Sequence, residues 1–513
     1  MSELKPYEET IKRICSLLQS EPTPDVIQGL RDSFDLLNRQ LKAGPFLEVF
    51  EATLSNIPFS ALFSLLAAPD NRLIVIVSEL TGQLLRPVTW SMVHQTFEEY
   101  IIQGLDHPHP DVKCLVLNQF LKCDLSTDPF SPSYGPHIWK CLAGKQDSES
   151  IKLTKRVLAH LCRCPQGMDY LFTDESMKGV RKLLAGKEEE RFRTYDVIVA
   201  AVGGSDSAFE FFKQEGIVDM FMNEGRSKDI LVIMNFYEQL PDICATTAPF
   251  EYMDEQGVFQ KALENLSDTT DEGVTGSLLR TASLKLFARM VDAKGLDPQQ
   301  FLEKYPVATV IREIIEEHSH SRYDSTVTAI NCLGAIGNNP AALEYLAKED
   351  KALAALASLY NSSTGDLRIE CLKTIACIFG HSQAPTETAS QACFDLYMRL
   401  CDGKFLSSLV KEIMKGFEES CIAAFAVIQK MASHAWGVRE IASVQNILGF
   451  LLTRDPSRGK TVQQWQYSAI ESLAAATEAK ASFDEETYKR LQKYVNNGPF
   501  YVESVPRVAM ATS

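Results

Sequence analysis

One block recurs along this chain, and any fold must satisfy it. A short polar opening, often with a basic residue, is followed by an apolar helical stretch that ends in small residues. It reads PDVKCLVLNQFLKC, SESIKLTKRVLAHLCRC, EERFRTYDVIVAAVGG, SKDILVIMNFYEQL, GSLLRTASLKLFARM, YDSTVTAINCLGAIGNN and GDLRIECLKTIACIFG in turn. Successive blocks lie roughly 40 to 50 residues apart, the period of HEAT and armadillo units. Within each block the apolar residues fall at helical spacing, as in IKLTKRVLAHLCR, where Ile151, Leu153, Val157, Leu158 and Leu161 alternate with lysines and arginines. Strand alternation bounded by hairpin turns is missing, and prolines such as Pro69, Pro110, Pro241, Pro298 and Pro340 sit between blocks, where helices stop or start.

Companion helices fill the intervals. EGIVDMFMNEG, QGVFQKALENLSD and YPVATVIREIIEEHS each open at a glycine or proline, which supplies a sharp turn between helices. A single helix pair cannot bury its own apolar face, so the pairs must stack. The expected fold is all-α, an armadillo/HEAT-type α-α superhelix, that is, a curved solenoid. Its expected division is N-terminal capping helices over 1–65, the repeat solenoid over 66–495 and a tail over 496–513.

Composition narrows the function. The chain has 513 residues, 45% hydrophobic and 23% charged, as folded proteins do. A formal net charge of −16 argues against nucleic-acid and anionic-membrane partners, which need basic surfaces. The polar, acidic N-terminus does not read as a signal peptide, and apolar runs such as LIVIV are too short to span a bilayer. Thirteen cysteines, scattered singly through apolar stretches, suit buried thiols of a reducing compartment. The expected location is the cytoplasm, with the nucleus also open.

Several clusters invite a metal. His107, His109, Cys114 and Cys123 share one short segment. A helix from Asp111 would point the two cysteines to opposite faces, roughly 13 Å apart along the axis, too far for one tetrahedral ion. His160 with Cys164, and Cys162 between them, would need two or more ligands from elsewhere and reads as core packing, His318 and His320 read as a solvated turn, and Gly203-Gly204-Ser205 as a helix end. Phosphate-loop, zinc-protease and nucleophile-elbow motifs are absent. No catalytic residue, metal or cofactor is expected, and the chain is not expected to be an enzyme.

In solenoids the second helices usually line the concave binding face. Here they carry Arg72, Lys113, Lys152, Lys155, Arg156, Arg193, Arg280, Lys285, Arg368 and Lys373. Read together they form a basic ladder suited to an acidic protein partner; the plainer reading is a series of solvated helix faces. An importin-like adaptor would instead repeat Trp-x-x-x-Asn, but Trp90, Trp139, Trp436 and Trp465 are followed four positions on by His94, Ala143, Glu440 and Ala469.

CIAAFAVIQKMASHAWGVREIASVQNILGFLLTRD, with Trp436 at its centre, and YKRLQKYVNNGPFYVESVP near the end resemble the 26S proteasome non-ATPase regulatory subunit 5 family. The order of HPHPDVKCLVLNQF, YPVATVIREIIE and DLRIECLKTIACIF agrees with that family's layout. The resemblance implies a chaperone that assembles the base of the proteasome regulatory particle. Such a protein binds the C-terminal domain of a base AAA-ATPase subunit, blocks its premature docking and is absent from the mature particle. The alternative is another armadillo-type adaptor, for transport or scaffolding. Phe500-Tyr501-Val502 resembles the tail by which proteasomal ATPases dock, but eleven residues follow it, so a segment folded onto the last helices is expected.

Overall fold

The computed structural model describes residues 5–43, 46–144, 148–268, 270, 273–319, 322–381, 384–444 and 447–501. Every regular element among them is a helix. The chain packs as two units, Met1–Val218 and Asp219–Ser513.

The recurring blocks form the long helices, and these stack on one another. In the second unit Ile230–Ile243, Val274–Met290, Tyr323–Asn338, Gly365–Gly380, Glu418–Met431 and Lys460–Ala475 make one continuous row, each packed on the next. Burial on both flanks explains why their apolar stripe is wide: Gly365–Gly380 buries Leu367, Cys371, Leu372, Ile375, Ala376, Ile378 and Phe379. In the first unit Pro24–Ala43, Asn71–Leu85, Pro110–Phe120, Ser148–Leu161 and Glu188–Val202 form the same kind of row.

The companions differ from the expected single helix. Between most long helices and the next lie two shorter ones, such as Pro298–Lys304 and Val307–Glu316, or Pro340–Glu349 and Lys351–Ser362, whereas Pro110–Phe120 has the single companions Trp90–Asp106 before it and Tyr134–Lys140 after it. These build further rows of their own, the Pro298–Lys304 helix packing on Pro340–Glu349 and that on Glu387–Arg399. Most units are therefore triplets of helices, and those around Pro110–Phe120 are pairs. A seven-residue helix is too short to show a period in sequence, which hid it.

The turns fall where the glycines placed them. Gly216 and Gly257 take φ of 72° and 73° ahead of Ile217–Glu224 and Val258–Ser267, a left-handed conformation that costs glycine little. Asp350, at φ 59°, makes the equivalent turn before Lys351–Ser362.

A second device fixes the step between rungs. Near the end of a long helix, a polar side chain reaches back to a backbone carbonyl at the end of the preceding one. His160 Nε2 lies 2.9 Å from the Cys123 oxygen, Asn339 Nδ2 donates to Val291 O at 3.1 Å, and His434 Nε2 lies 2.9 Å from Phe379 O. Carbonyls at helix C-termini lack intrahelical donors, so each contact satisfies a group that burial would otherwise leave unpaired.

At the C-terminal end, Arg454 holds the chain after the last long helix. Its guanidinium donates to the carbonyls of Tyr494 and Gly498 at 2.8 Å and stacks on the Tyr494 ring at 3.7 Å. Gly498 to Tyr501 is thus folded onto the final helices, as expected. Val502 and the rest of the tail lie outside the described residues.

Candidate protein-binding face

Each long helix buries its two flanks and leaves one stripe uncovered. In the first unit Arg72, Val75 and Glu79, then Cys114 and Asn118, then Lys152 and Arg156, then Arg193, Asp196 and Ala200 follow at helical spacing. In the second, Leu231, Asn235 and Glu238 precede Leu278, Lys285 and Arg289, and further on come Glu370 and Lys373. Between Asn71–Leu85 and Pro110–Phe120 the stripe opens into a groove of about 600 Å³, with Val75, Glu79, Arg86, Cys114 and Asn118 on its walls. Lys122 closes one end, donating to the Leu85 carbonyl at 2.6 Å and the Val88 carbonyl at 3.1 Å.

The basic ladder read from the sequence is changed by this geometry. Lys113 is only 8% exposed, lodged among Val112, Val116 and Leu117 on the buried flank of its helix, and offers no charge to a partner. Arg368 is also withdrawn. Its guanidinium meets the buried Glu412 carboxylate at 3.0 Å, donates to Tyr360 O and Ser408 Oγ at 2.9 and 2.8 Å, and lies over the Tyr360 ring at 4.1 Å. Every direction in which it can bond points into the protein, so it holds rungs together.

Others on the stripe are already paired. Lys155 meets Asp196 of the next rung at 2.7 Å, Arg193 meets Glu189 at 3.1 Å and the Gly144 carbonyl at 3.1 Å, and Lys373 meets Glu370 at 2.6 Å. Arg280 donates to the Asp268 carbonyl at 2.7 Å. Lys152, Arg156 and Lys285 are exposed and form no ion pair among the described residues. The face is mixed in charge, with basic residues answered by acids one rung away, as Arg289 is by Glu238 and Asp242 at 3.5 Å.

Sequence reasoning missed the apolar members of this face. Leu231 and Val274 are 56% and 78% exposed at the starts of adjacent long helices, with Leu278 one turn further on. Val75 stands out from LIVIV, and the signal was present there: five apolar residues in succession cannot all face inward on a helix.

The histidine and cysteine segment is a repeat junction. His109 is the N-cap of Pro110–Phe120, its Nδ1 accepting from Asp111 N at 3.3 Å, and His107 Nδ1 accepts from His109 N at 3.0 Å. Cys123 is buried, and burial pushes its thiol up to about 12, whereas Cys114 lines the groove. His318 Nδ1 lies 3.0 Å from Thr326 Oγ1 on the next helix, so it is less solvated than expected; His320 lies outside the described residues. Ser205, after Gly203, caps the helix that follows it. All thirteen cysteines are free thiols, buried or half-buried.

Units of two or three helices, stacked through one helix of each that leaves a stripe uncovered, define an armadillo/HEAT-type repeat protein. The fold is similar to yeast importin-beta (Kap95p), with a TM-score of 0.56 at 14% identity over 95% of this chain and 66% of that one. In sequence, the model of the proteasome non-ATPase 26S subunit family matches residues 26–513. The chain belongs to that family. It is similar to the 26S proteasome non-ATPase regulatory subunit 5 of Bos taurus, 22% identical over 99% of this chain and 97% of that one. The Homo sapiens protein of the same name is 22% identical, over 92% and 94% of the two chains.

Proposed function

We propose that this chain is a non-catalytic assembly chaperone for the base of the 26S proteasome regulatory particle. It holds the C-terminal domain of one base AAA-ATPase subunit against the uncovered stripe of its long helices. Occupied in this way, the domain is sterically kept from docking early on the core particle, and the chaperone leaves before the particle matures. The observation that carries the reading is the family match along 26–513, which takes in every rung of both rows except the first two residues of Pro24–Ala43. The stripe adds physical support. Leu231, Val274 and Leu278 expose apolar surface that a partner would take out of water, and Lys152, Arg156 and Lys285 are cations available for steering. Such a protein works in the cytoplasm and, where proteasomes are built there, the nucleus.

Pull-down with each base ATPase C-terminal domain in turn tests this directly. One or two domains should bind at micromolar concentration or tighter, and purified mature particles should lack the chain. Absence of binding to every domain sinks the proposal. Stoichiometric presence in the mature particle would make it a resident scaffold. Another armadillo-type adaptor role is the alternative, suggested by the likeness in fold to importin-beta.

A further inference from the structure

Three side chains in the second unit converge although they are far apart in sequence. His381 follows the Gly365–Gly380 helix, Cys393 lies in Glu387–Arg399, and His434 is the N-cap of Ala435–Ser443. One ligand atom of each lies within 4.8 Å of the other two, the only such His/Cys/carboxylate group among the described residues. Cys393 and His434 are buried.

The details fit a metal better than a chance cluster. Cys393 Sγ stands 3.5 Å from His381 Nε2. Zinc bonds of ~2.3 Å to sulfur and ~2.0 Å to nitrogen at a tetrahedral angle would set those atoms about 3.5 Å apart. His434 gives Nε2 to the Phe379 carbonyl at 2.9 Å, which leaves the Nδ1 lone pair facing Ser390 Oγ at 3.0 Å. A ring N–H held by a backbone carbonyl is the usual support of a metal-binding histidine. His381 is set toward Cys393 by a backbone φ of 31°, unusual for a residue with a side chain. Its other nitrogen, Nδ1, is buried beside the Asn338 backbone without forming a well-aligned hydrogen bond. An open cavity lined by Gly380, Lys430 and Ser433 reaches His434.

We infer that His381 Nε2, Cys393 Sγ and His434 Nδ1 form a zinc site that clips together the Gly365–Gly380 and Glu418–Met431 rungs. On binding, the Cys393 S–H bond breaks, its proton passes to solvent and a zinc–sulfur bond forms. Both imidazoles bind as neutral ligands, without redox change. Zinc replaces the Ser390 hydroxyl as the partner of His434 Nδ1, and that hydroxyl or a water supplies the fourth ligand. Two nitrogens and one thiolate suit zinc over the hard oxygen-seeking cations.

The experiment uses the full chain without a histidine tag, stripped with chelator and reloaded with zinc or cobalt(II). One zinc should be retained per chain by elemental mass spectrometry, zinc should raise the Tm, and cobalt should give a thiolate-to-metal charge-transfer band. C393S and H381N should lose that band and drop zinc to background while keeping the helical circular dichroism of the parent. If C393S fails to fold, H381N decides, since asparagine tolerates positive φ. Reloaded parent protein that holds no zinc, or variants that bind zinc and cobalt as the parent does, would overturn the site.

Discussion

Arg368 Nε lies 3.0 Å from Glu412 Oε1, joining the Gly365–Gly380 helix to Phe405–Met414 of the next repeat. Both groups are removed from water, and each is bonded on several sides. Burial pushes the Glu412 carboxyl up, but hydrogen bonds from Lys415 and Ser420 and the charges of Lys415 and Arg368 outweigh it, leaving it below the usual range. Removing Arg368 takes one charged partner from a buried carboxylate and leaves it Lys415 and Ser420, so R368M should destabilise this region by about 2 kcal/mol. Hydrogen exchange should accelerate over 360–420 and stay unchanged in the first unit.

The same pair sets a pH dependence. A glutamate depressed in the folded state contributes stability that is full above its unfolded value, ~4.3, and is lost as pH falls through the folded value. Acidification below that range should destabilise the parent more than E412Q, whose side chain does not titrate. Equal loss in both, followed by chemical denaturation at several pH values, would remove Glu412 from the account.

Gly257 tests the turn between helices. Nothing lies within 4 Å of a Cβ built there, so a substitution meets only the backbone cost of φ 73°. G257A should cost about 1 kcal/mol, and G257N less, because asparagine enters this region more readily. Urea unfolding of the two variants measures the difference.

Asn339 performs two tasks at once. Its Nδ2 donates to Val291 O at 3.1 Å, and its Oδ1 accepts from Ala341 N and Ala342 N at 3.1 and 3.2 Å as the cap of Pro340–Glu349. N339A should therefore cost about 2 kcal/mol, more than an ordinary cap. A loss within a few tenths of that of an exposed cap such as Asp484 would show that the link between rungs contributes little.

On the binding face, charge reversal at Lys152, Arg156 and Lys285 should slow association with the ATPase domain and flatten its salt dependence. Stability should stay within about 0.5 kcal/mol, since all three are exposed. Surface plasmon resonance across a salt series reads both effects. Unchanged rates would leave the apolar residues Leu231, Val274 and Leu278 as the anchors to mutate next.

The row of long helices was legible because each spans three turns or more and keeps its apolar period throughout. The short partners were not, for want of length. Cations were the least readable. A lysine at a helical position reads alike whether it snorkels to water, as Lys152 does, or lies along an apolar flank, as Lys113 does. Arg368 looked like its neighbours because its acid lies 44 residues on. His381, Cys393 and His434 drew no notice for the same reason: only the stacking of repeats brings them together.

The contacts that set the step between rungs end on main-chain oxygens of Cys123, Val291 and Phe379. A carbonyl is the one acceptor that mutation cannot delete. Genetic drift can replace the side chains at those three positions and still leave the stacking instruction intact, provided the reaching histidine or asparagine survives. At those three steps the stacking therefore rests on His160, Asn339 and His434 as donors, while side chains on the uncovered stripe can change without touching them.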